Sequence, residues 1–329
     1  MAPANAKPRV LVTRHVYPAA LSILQEHCAV DYVDSYDVLT PQALTRRLAL
    51  CDGVVCQLTD PLTREVLEGS DKLRVIAQIA VGYDNVDVAA AKERGVVVTH
   101  TPGVLTEATA DLTFSLLLAA ARRLPEAERF LREGRWERWN IDLLCGTDVH
   151  GQTIGIVGMG RIGQAVARRA RGFGMRVLYA SRSEAPADLA KELDLHRVPL
   201  GALLKQSDFV TLHVPLTEAT RHMISIEQLC SMKRTAILIN TARGPIVNEP
   251  ALVAALEEGL IGGAALDVFE DEPNVPADLL ALDNCVLLPH VGSAVTSVRS
   301  LMCALAAQDC VAVLLGEEPK HPVDLGAAR

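Results

Sequence analysis

No stretch near the start of the chain has the charged, apolar, small-residue order of a secretory signal, and no apolar run reaches about 18 residues. These absences argue for a soluble, cytoplasmic protein without a membrane partner. The eight cysteines are scattered, with no CxxC pair and no metal-ligand spacing. That excludes a disulfide framework and predicts reduced, packed thiols, Cys145 among them, and no bound metal. Basic residues are nowhere clustered, and a net charge of −8 with a pI near 5.6 argues against nucleic acid as a partner. Neither a tandem repeat nor a low-complexity tract is present.

What is there is apolar and periodic. Half of the 329 residues are hydrophobic, and the length exceeds the roughly 250–300 residues at which one core stops growing, so two domains are expected. Short apolar runs at 9–13, 29–33, 53–57, 73–79 and 96–99 alternate with helical stretches at 19–28, 41–50 and 86–94. Such alternation predicts βαβ units and a parallel sheet. After a break at Thr101-Pro102-Gly103, residues 105–123 read as a helix apolar on all sides, suited to a position between domains. Residues 125–149 show no clear period and carry both tryptophans, Trp136 and Trp139. A segment of that length is read as an ordered arm, and its aromatics suit a subunit interface. A second α/β set follows, with strands at 153–158, 176–181, 208–214, 235–240, 262–268 and 285–288 and a final helix at 301–315.

The second set opens on Gly158-Met159-Gly160-Arg161-Ile162-Gly163, a GxGxxG motif between a strand-like run and a helical run. In that context the glycines permit a tight turn, close approach of a pyrophosphate, and close packing of helix on strand. NAD-specific sites of this kind hold the ribose with an acid about 20 residues on, at the end of the next strand. This chain has Ala180-Ser181-Arg182-Ser183 there. Two hydroxyls and a planar guanidinium suit a 2′-phosphate, so NADP(H) is predicted over NAD(H). Three later strand ends carry Arg243, Glu272 and His290, where open α/β sheets gather their ligands.

Together these motifs give the chain a family resemblance along nearly its whole length. Val81–Asp87, Thr101–Asp111, the glycine motif, the Arg243 loop, the acidic run ending at Glu272-Pro273 and Pro289–Ser293 resemble the D-isomer-specific 2-hydroxyacid dehydrogenases, in particular the glyoxylate/hydroxypyruvate and 2-ketogluconate reductases. The resemblance implies two doubly wound α/β domains, flavodoxin-like and Rossmann, with a cleft between them. Residues 1–100 and 291–329 would bind substrate, and the inserted residues 101–290 would bind NAD(P). It further implies His290 as acid/base, Glu272 as its orienting carboxylate and Arg243 as the clamp on the substrate carboxylate. Leu58, Val81 and Gly82 would contact substrate, and Thr109, Arg161, Ile162, His213, Pro215, Thr241, Ala242, Asp267 and Gly292 would contact the cofactor. A homodimer is implied, with Trp139 reaching the second subunit's site. The co-repressors that share this fold carry longer tails. The phosphite dehydrogenases carry a lysine where Val81 stands, and 3-phosphoglycerate dehydrogenases need more basic residues, so all three fit less well.

Overall fold

Twelve strands are present among residues 7–324, the part of the chain that the computed structural model describes. The chain forms two compact units, one running to Leu105 and resuming at Ser293, the other spanning Thr106–Gly292.

In the first unit β1 (Arg9–Val12), β2 (Ala29–Tyr32), β3 (Gly53–Cys56), β4 (Val75–Gln78) and β5 (Val97–Thr99) pair in the order β2-β1-β3-β4-β5, all parallel. This is the flavodoxin order, reversing between β1 and β3. Every residue of β3 and β4 is buried, as expected of parallel strands covered on both faces. Successive side chains go to opposite faces. Val10, Val12, Val55, Val75 and Ala77 pack with Ala306, Ala307 and Cys310 on one side. Leu11, Val54, Cys56 and Ile76 pack with Leu44, Leu48, Leu62 and Val66 on the other.

The helix Thr296–Leu315 corrects one expectation. It begins five residues before the predicted start, and its 20 residues, which include an 18-residue stretch of mean hydropathy 1.6, are long and apolar enough to cross a membrane by length and composition. Here it is a core helix, packed on the helix Pro18–His27 and on β3 and β4. Its Asp309 is buried and answered by the His321 ring at 2.8 Å and the Lys320 amide at 2.8 Å. This tie fixes the following extended segment, where Val323 N donates to Val98 O.

In the second unit β6 (Thr153–Val157), β7 (Arg176–Ala180), β8 (Leu195–Arg197), β9 (Phe209–Leu212), β10 (Ile237–Asn240), β11 (Gly263–Leu266) and β12 (Cys285–Leu287) form a parallel sheet in the order β12-β11-β10-β9-β6-β7-β8. The order reverses between β6 and β9, as in a Rossmann sheet with one added strand. Ile154, Ile156, Phe209, Ile237 and Ile239 fill one face with the helices Thr106–Ala121 and Arg161–Gly172. Val157, Val210, Leu212, Leu238 and Leu266 fill the other.

Several short elements escape a reading by apolar period. These are β8 and the helices Arg64–Glu68, Leu200–Gln206, Ile226–Ser231, Glu249–Glu257 and Ala277–Leu280. The helix Leu124–Arg132 lies where no period is expected. Arg123, at φ 50°, breaks the chain from the preceding helix, and a proline in the first turn starts the new one. None of its residues is buried, and Trp136, Trp139 and Ile141 beyond it are 55%, 71% and 81% exposed. The tryptophans therefore do not fold back into their own unit's core. Cys145, expected to be packed, is exposed, as is Cys230; Cys28, Cys51, Cys56, Cys303 and Cys310 are buried.

Candidate active site

The glycine loop after β6 is shaped by close approaches. Gly158 has φ +99°, and a Cβ on it would lie 2.5 Å from the His213 carbonyl oxygen. A Cβ on Gly163 would lie 2.1 Å from Gly158 O, so the helix Arg161–Gly172 packs directly on the turn. Nothing lies within 4 Å of the Cβ position of Gly160, which caps that helix. A side chain there would fill the space in front of the helix amides. Open amides at a helix N-terminus beside a bare glycine fit a pyrophosphate. Arg161 is exposed and Ile162 half-buried at this start.

Just past β9, the reversal neighbour of β6, the His213 ring meets Thr211 Oγ1 at 2.9 Å, and burial pushes its imidazole down to about 3. It is therefore a neutral ring near pH 7. Pro215 follows, exposed. At the end of β7, Ser181 is half-buried while Arg182 and Ser183 are exposed.

The loops after β10, β11 and β12 converge. Asn240 ends β10 and turns its side chain onto the next loop, Oδ1 accepting from Ala242 N at 3.0 Å and Nδ2 donating to Arg243 O at 2.8 Å. Such an Asx-type tie fixes a turn locally. Thr241 Oγ1 meets Thr113 Oγ1 at 2.9 Å, and Thr109 Oγ1 donates to Gly292 O at 3.2 Å, so the helix Thr106–Ala121 ties down the loops after β10 and β12. The residue after Arg243, Gly244, lies flat against the chain after β11. A Cβ on it would stand 1.9 Å from Phe269 C and O. Gly244→Ala is therefore expected to cost about 1–3 kcal/mol or more and to lower turnover by parting the Arg243 and Glu272 loops. A denaturation midpoint and kcat equal to wild type would remove the close approach as a determinant.

Glu272 Oε1 accepts from Phe269 N at 3.0 Å and Oε2 meets His290 Nδ1 at 2.7 Å. Burial raises the Glu272 carboxyl, but the His290 hydrogen bond and charge, the Phe269 amide and the nearby Arg243 outweigh it. The group is held below the ordinary carboxylate value. A charged carboxylate favours the tautomer with the proton on Nδ1.

His290 itself sits at φ +53°, an arrangement that costs a non-glycine residue about 1–3 kcal/mol and persists only where surroundings enforce it. Asp267 enforces it. Its carbonyl accepts from His290 N at 2.9 Å, and its buried carboxylate accepts from Val291 N and Gly292 N, each at 2.7 Å. Burial raises this carboxyl above its usual value. Asp267, expected as a cofactor contact, thus has both oxygens engaged by backbone amides. Asn240 and Gly244 were not singled out by sequence; an Asn and a Gly bracketing a loop arginine is the signal that could have found them.

Leu58, Val81 and Gly82 belong to the other unit, just beyond the ends of β3 and β4. Val81 O meets the His100 ring at 2.9 Å. Asn85 Nδ2 donates to Gln57 O at 3.1 Å and Asp60 O at 2.9 Å, and Gln78 Nε2 donates to Asn85 Oδ1 at 2.7 Å, so these two loops are one polar assembly. Arg243, Glu272 and His290 therefore converge within one unit, and Leu58 and the Val81–Gly82 loop within the other.

A Rossmann sheet whose last strands end in a guanidinium, a carboxylate and an imidazole defines an NAD(P)-dependent oxidoreductase. Comparison with known proteins names the family. The model of the D-isomer specific 2-hydroxyacid dehydrogenase, NAD binding domain, matches residues 114–292. The chain is 53% identical to a glyoxylate reductase of Korarchaeum cryptofilum over 320 residues, 97% of this chain and 96% of that one. Among solved structures, the TT0316 protein from Thermus thermophilus is 47% identical with a TM-score of 0.89, covering 96% and 99% of the two chains. An NADPH-dependent glyoxylate/hydroxypyruvate reductase from Sinorhizobium meliloti, solved with NADP and malonate, is 37% identical with a TM-score of 0.88, covering 97% and 98%. The chain belongs to the D-isomer specific 2-hydroxyacid dehydrogenase family.

Proposed function

We propose that the protein reduces small 2-keto acids, glyoxylate and hydroxypyruvate, to D-2-hydroxy acids with NADPH. The observation that carries this reading is the 2.7 Å His290–Glu272 pair beside Arg243 at the ends of adjoining parallel strands. When bound, the dihydronicotinamide supplies the hydride. Arg243 holds the planar substrate carboxylate and draws charge from its carbonyl. His290, with Nδ1 committed to Glu272, gives the carbonyl oxygen a proton from Nε2 as charge develops there. Glu272 keeps the ring oriented and favours its charged form. Asp267 holds the 290–292 backbone that carries the ring. In this reading Leu58 and the Val81–Gly82 loop contact the substrate.

The preference for NADPH rests on the end of β7, where Ser181, Arg182 and Ser183 stand in place of an acid. A carboxylate there would receive a ribose 2′-hydroxyl and repel a 2′-phosphate. Comparing kcat/KM for glyoxylate, hydroxypyruvate and 2-ketogluconate with both cofactors tests substrate and cofactor together. The expected order has glyoxylate and hydroxypyruvate above 2-ketogluconate and NADPH above NADH. Equal rates with NADH and NADPH would remove the cofactor preference.

We further propose a homodimer formed through the arm after Leu124, whose Leu131, Trp136, Trp139 and Ile141 are all more than half exposed. Aromatic and aliphatic side chains gathered on one segment suit the core of an interface. Light scattering is expected to give twice the 35.4 kDa chain mass. A 35.4 kDa species at assay concentration would rule the dimer out.

A further inference from the structure

The end of β7 holds a second cation that no motif marks. Arg197 is the last residue of the edge strand β8 and pairs with Tyr179 of β7. Its side chain crosses the strand ends. Nη2 donates to Ser181 O and to Arg182 O, both at 2.9 Å, and Nη1 meets Glu184 Oε1 at 3.3 Å. The whole loop leaving β7 is thus gathered round one guanidinium, whose fixed fork can serve several acceptors at once where an ammonium cannot. The same side chain lines a cavity of about 410 Å³ with Ala180, Ser181, Val198, Pro199 and Leu200.

The carbonyl and the N–H of a trans peptide point opposite ways. Turning the carbonyls of Ser181 and Arg182 toward Arg197 therefore turns the amides of Arg182 and Ser183 away from it. Neither amide has a protein partner among the described residues. Successive open amides of a turn can receive an anion, and the same loop carries the Arg182 guanidinium and the Ser181 and Ser183 hydroxyls, groups that suit a phosphate.

We propose that Arg197 is the positioning residue for the 2′-phosphate of NADPH. It fixes the loop that presents the Arg182 and Ser183 amides, the Arg182 guanidinium and the two serine hydroxyls. This rests on the reading of the chain as NADPH-preferring. Arg197 acts on the phosphate through the loop, so its loss is specific to the cofactor that carries that phosphate.

Calorimetric dissociation constants for NADPH and NADH, measured without substrate on wild type, Arg197→Ala and Arg197→Lys, test it. Arg197→Ala is expected to raise the NADPH Kd by about 10–100-fold, as for loss of charged hydrogen bonds, and to leave the NADH Kd unchanged. Arg197→Lys, which keeps the charge and loses the fork, is expected to fall between. A partly exposed edge-strand residue tolerates both substitutions, and an unchanged melting temperature checks that. If wild type prefers NADPH and Arg197→Ala weakens both cofactors equally or neither, Arg197 has no such role while the cofactor preference stands. If wild type binds both alike, the preference falls and the proposal with it.

Discussion

Replacing His290 with alanine is expected to lower kcat for glyoxylate reduction by about 10²–10⁴-fold, the usual contribution of a positioned proton donor. In the proposed reaction the carbonyl oxygen is protonated as the hydride arrives, and water is a poorly placed substitute for the ring. NADPH binding is expected to be unaffected, because the glycine loop and the β7 end lie on other strands of the sheet. Glu272→Gln should retain part of the activity, since an amide can accept from Nδ1 but carries no charge to favour the imidazolium. The sign of its pH effect follows from the carboxyl's depressed value. The native carboxylate is charged above the acid range, and its stabilising tie to His290 is lost only as pH falls through that depressed value. The amide variant has no such acid limb. Steady-state turnover with unchanged kcat in His290→Ala would assign proton transfer to another group.

Arg243→Ala is expected to lower kcat/KM for 2-keto acids by about 10²–10⁴-fold, from loss of two charged hydrogen bonds at roughly 1.5–3 kcal/mol each. Most of the effect should appear in KM, with a smaller loss in kcat from the unpolarised carbonyl. Arg243→Lys should rescue little, because a point charge cannot span both carboxylate oxygens. The alanine variant also leaves Glu272 without its cationic neighbour, so the carboxyl should rise toward its ordinary value. An intact KM for glyoxylate would move the clamp to another residue.

Much of the fold and the placement of these residues was legible in the sequence, for local reasons. The three glycines at 158, 160 and 163 announce a turn that only glycine can make, and the structure shows two of the three close approaches that demand it. The parallel strands show as apolar runs because both faces are covered. Arg243, Glu272 and His290 stand out because each is polar at the end of such a run.

What was not legible depends on contacts between distant segments. Asp267 reads from sequence as a cofactor contact, and its backbone role shows only when its carboxylate is seen holding the Val291 and Gly292 amides, 24 and 25 residues away. Gly244 has no unusual backbone angle of its own, and only the proximity of Phe269 explains it. The helix Thr296–Leu315 carries Arg299 and Asp309, which hid its length and hydropathy from a search for unbroken apolar runs. Arg197 sits on a three-residue edge strand with no period to reveal it.

The central claim is hydride delivery from the dihydronicotinamide to C2 of a 2-keto acid, with a proton supplied to its oxygen. The most direct measurement reduces hydroxypyruvate with NADPH deuterated at nicotinamide C4 and analyses the product's configuration and label. The account predicts D-glycerate carrying deuterium at C2 in wild type and almost none formed by His290→Ala. L-glycerate, or D-glycerate without deuterium at C2 from cofactor labelled at either C4 face, would contradict it.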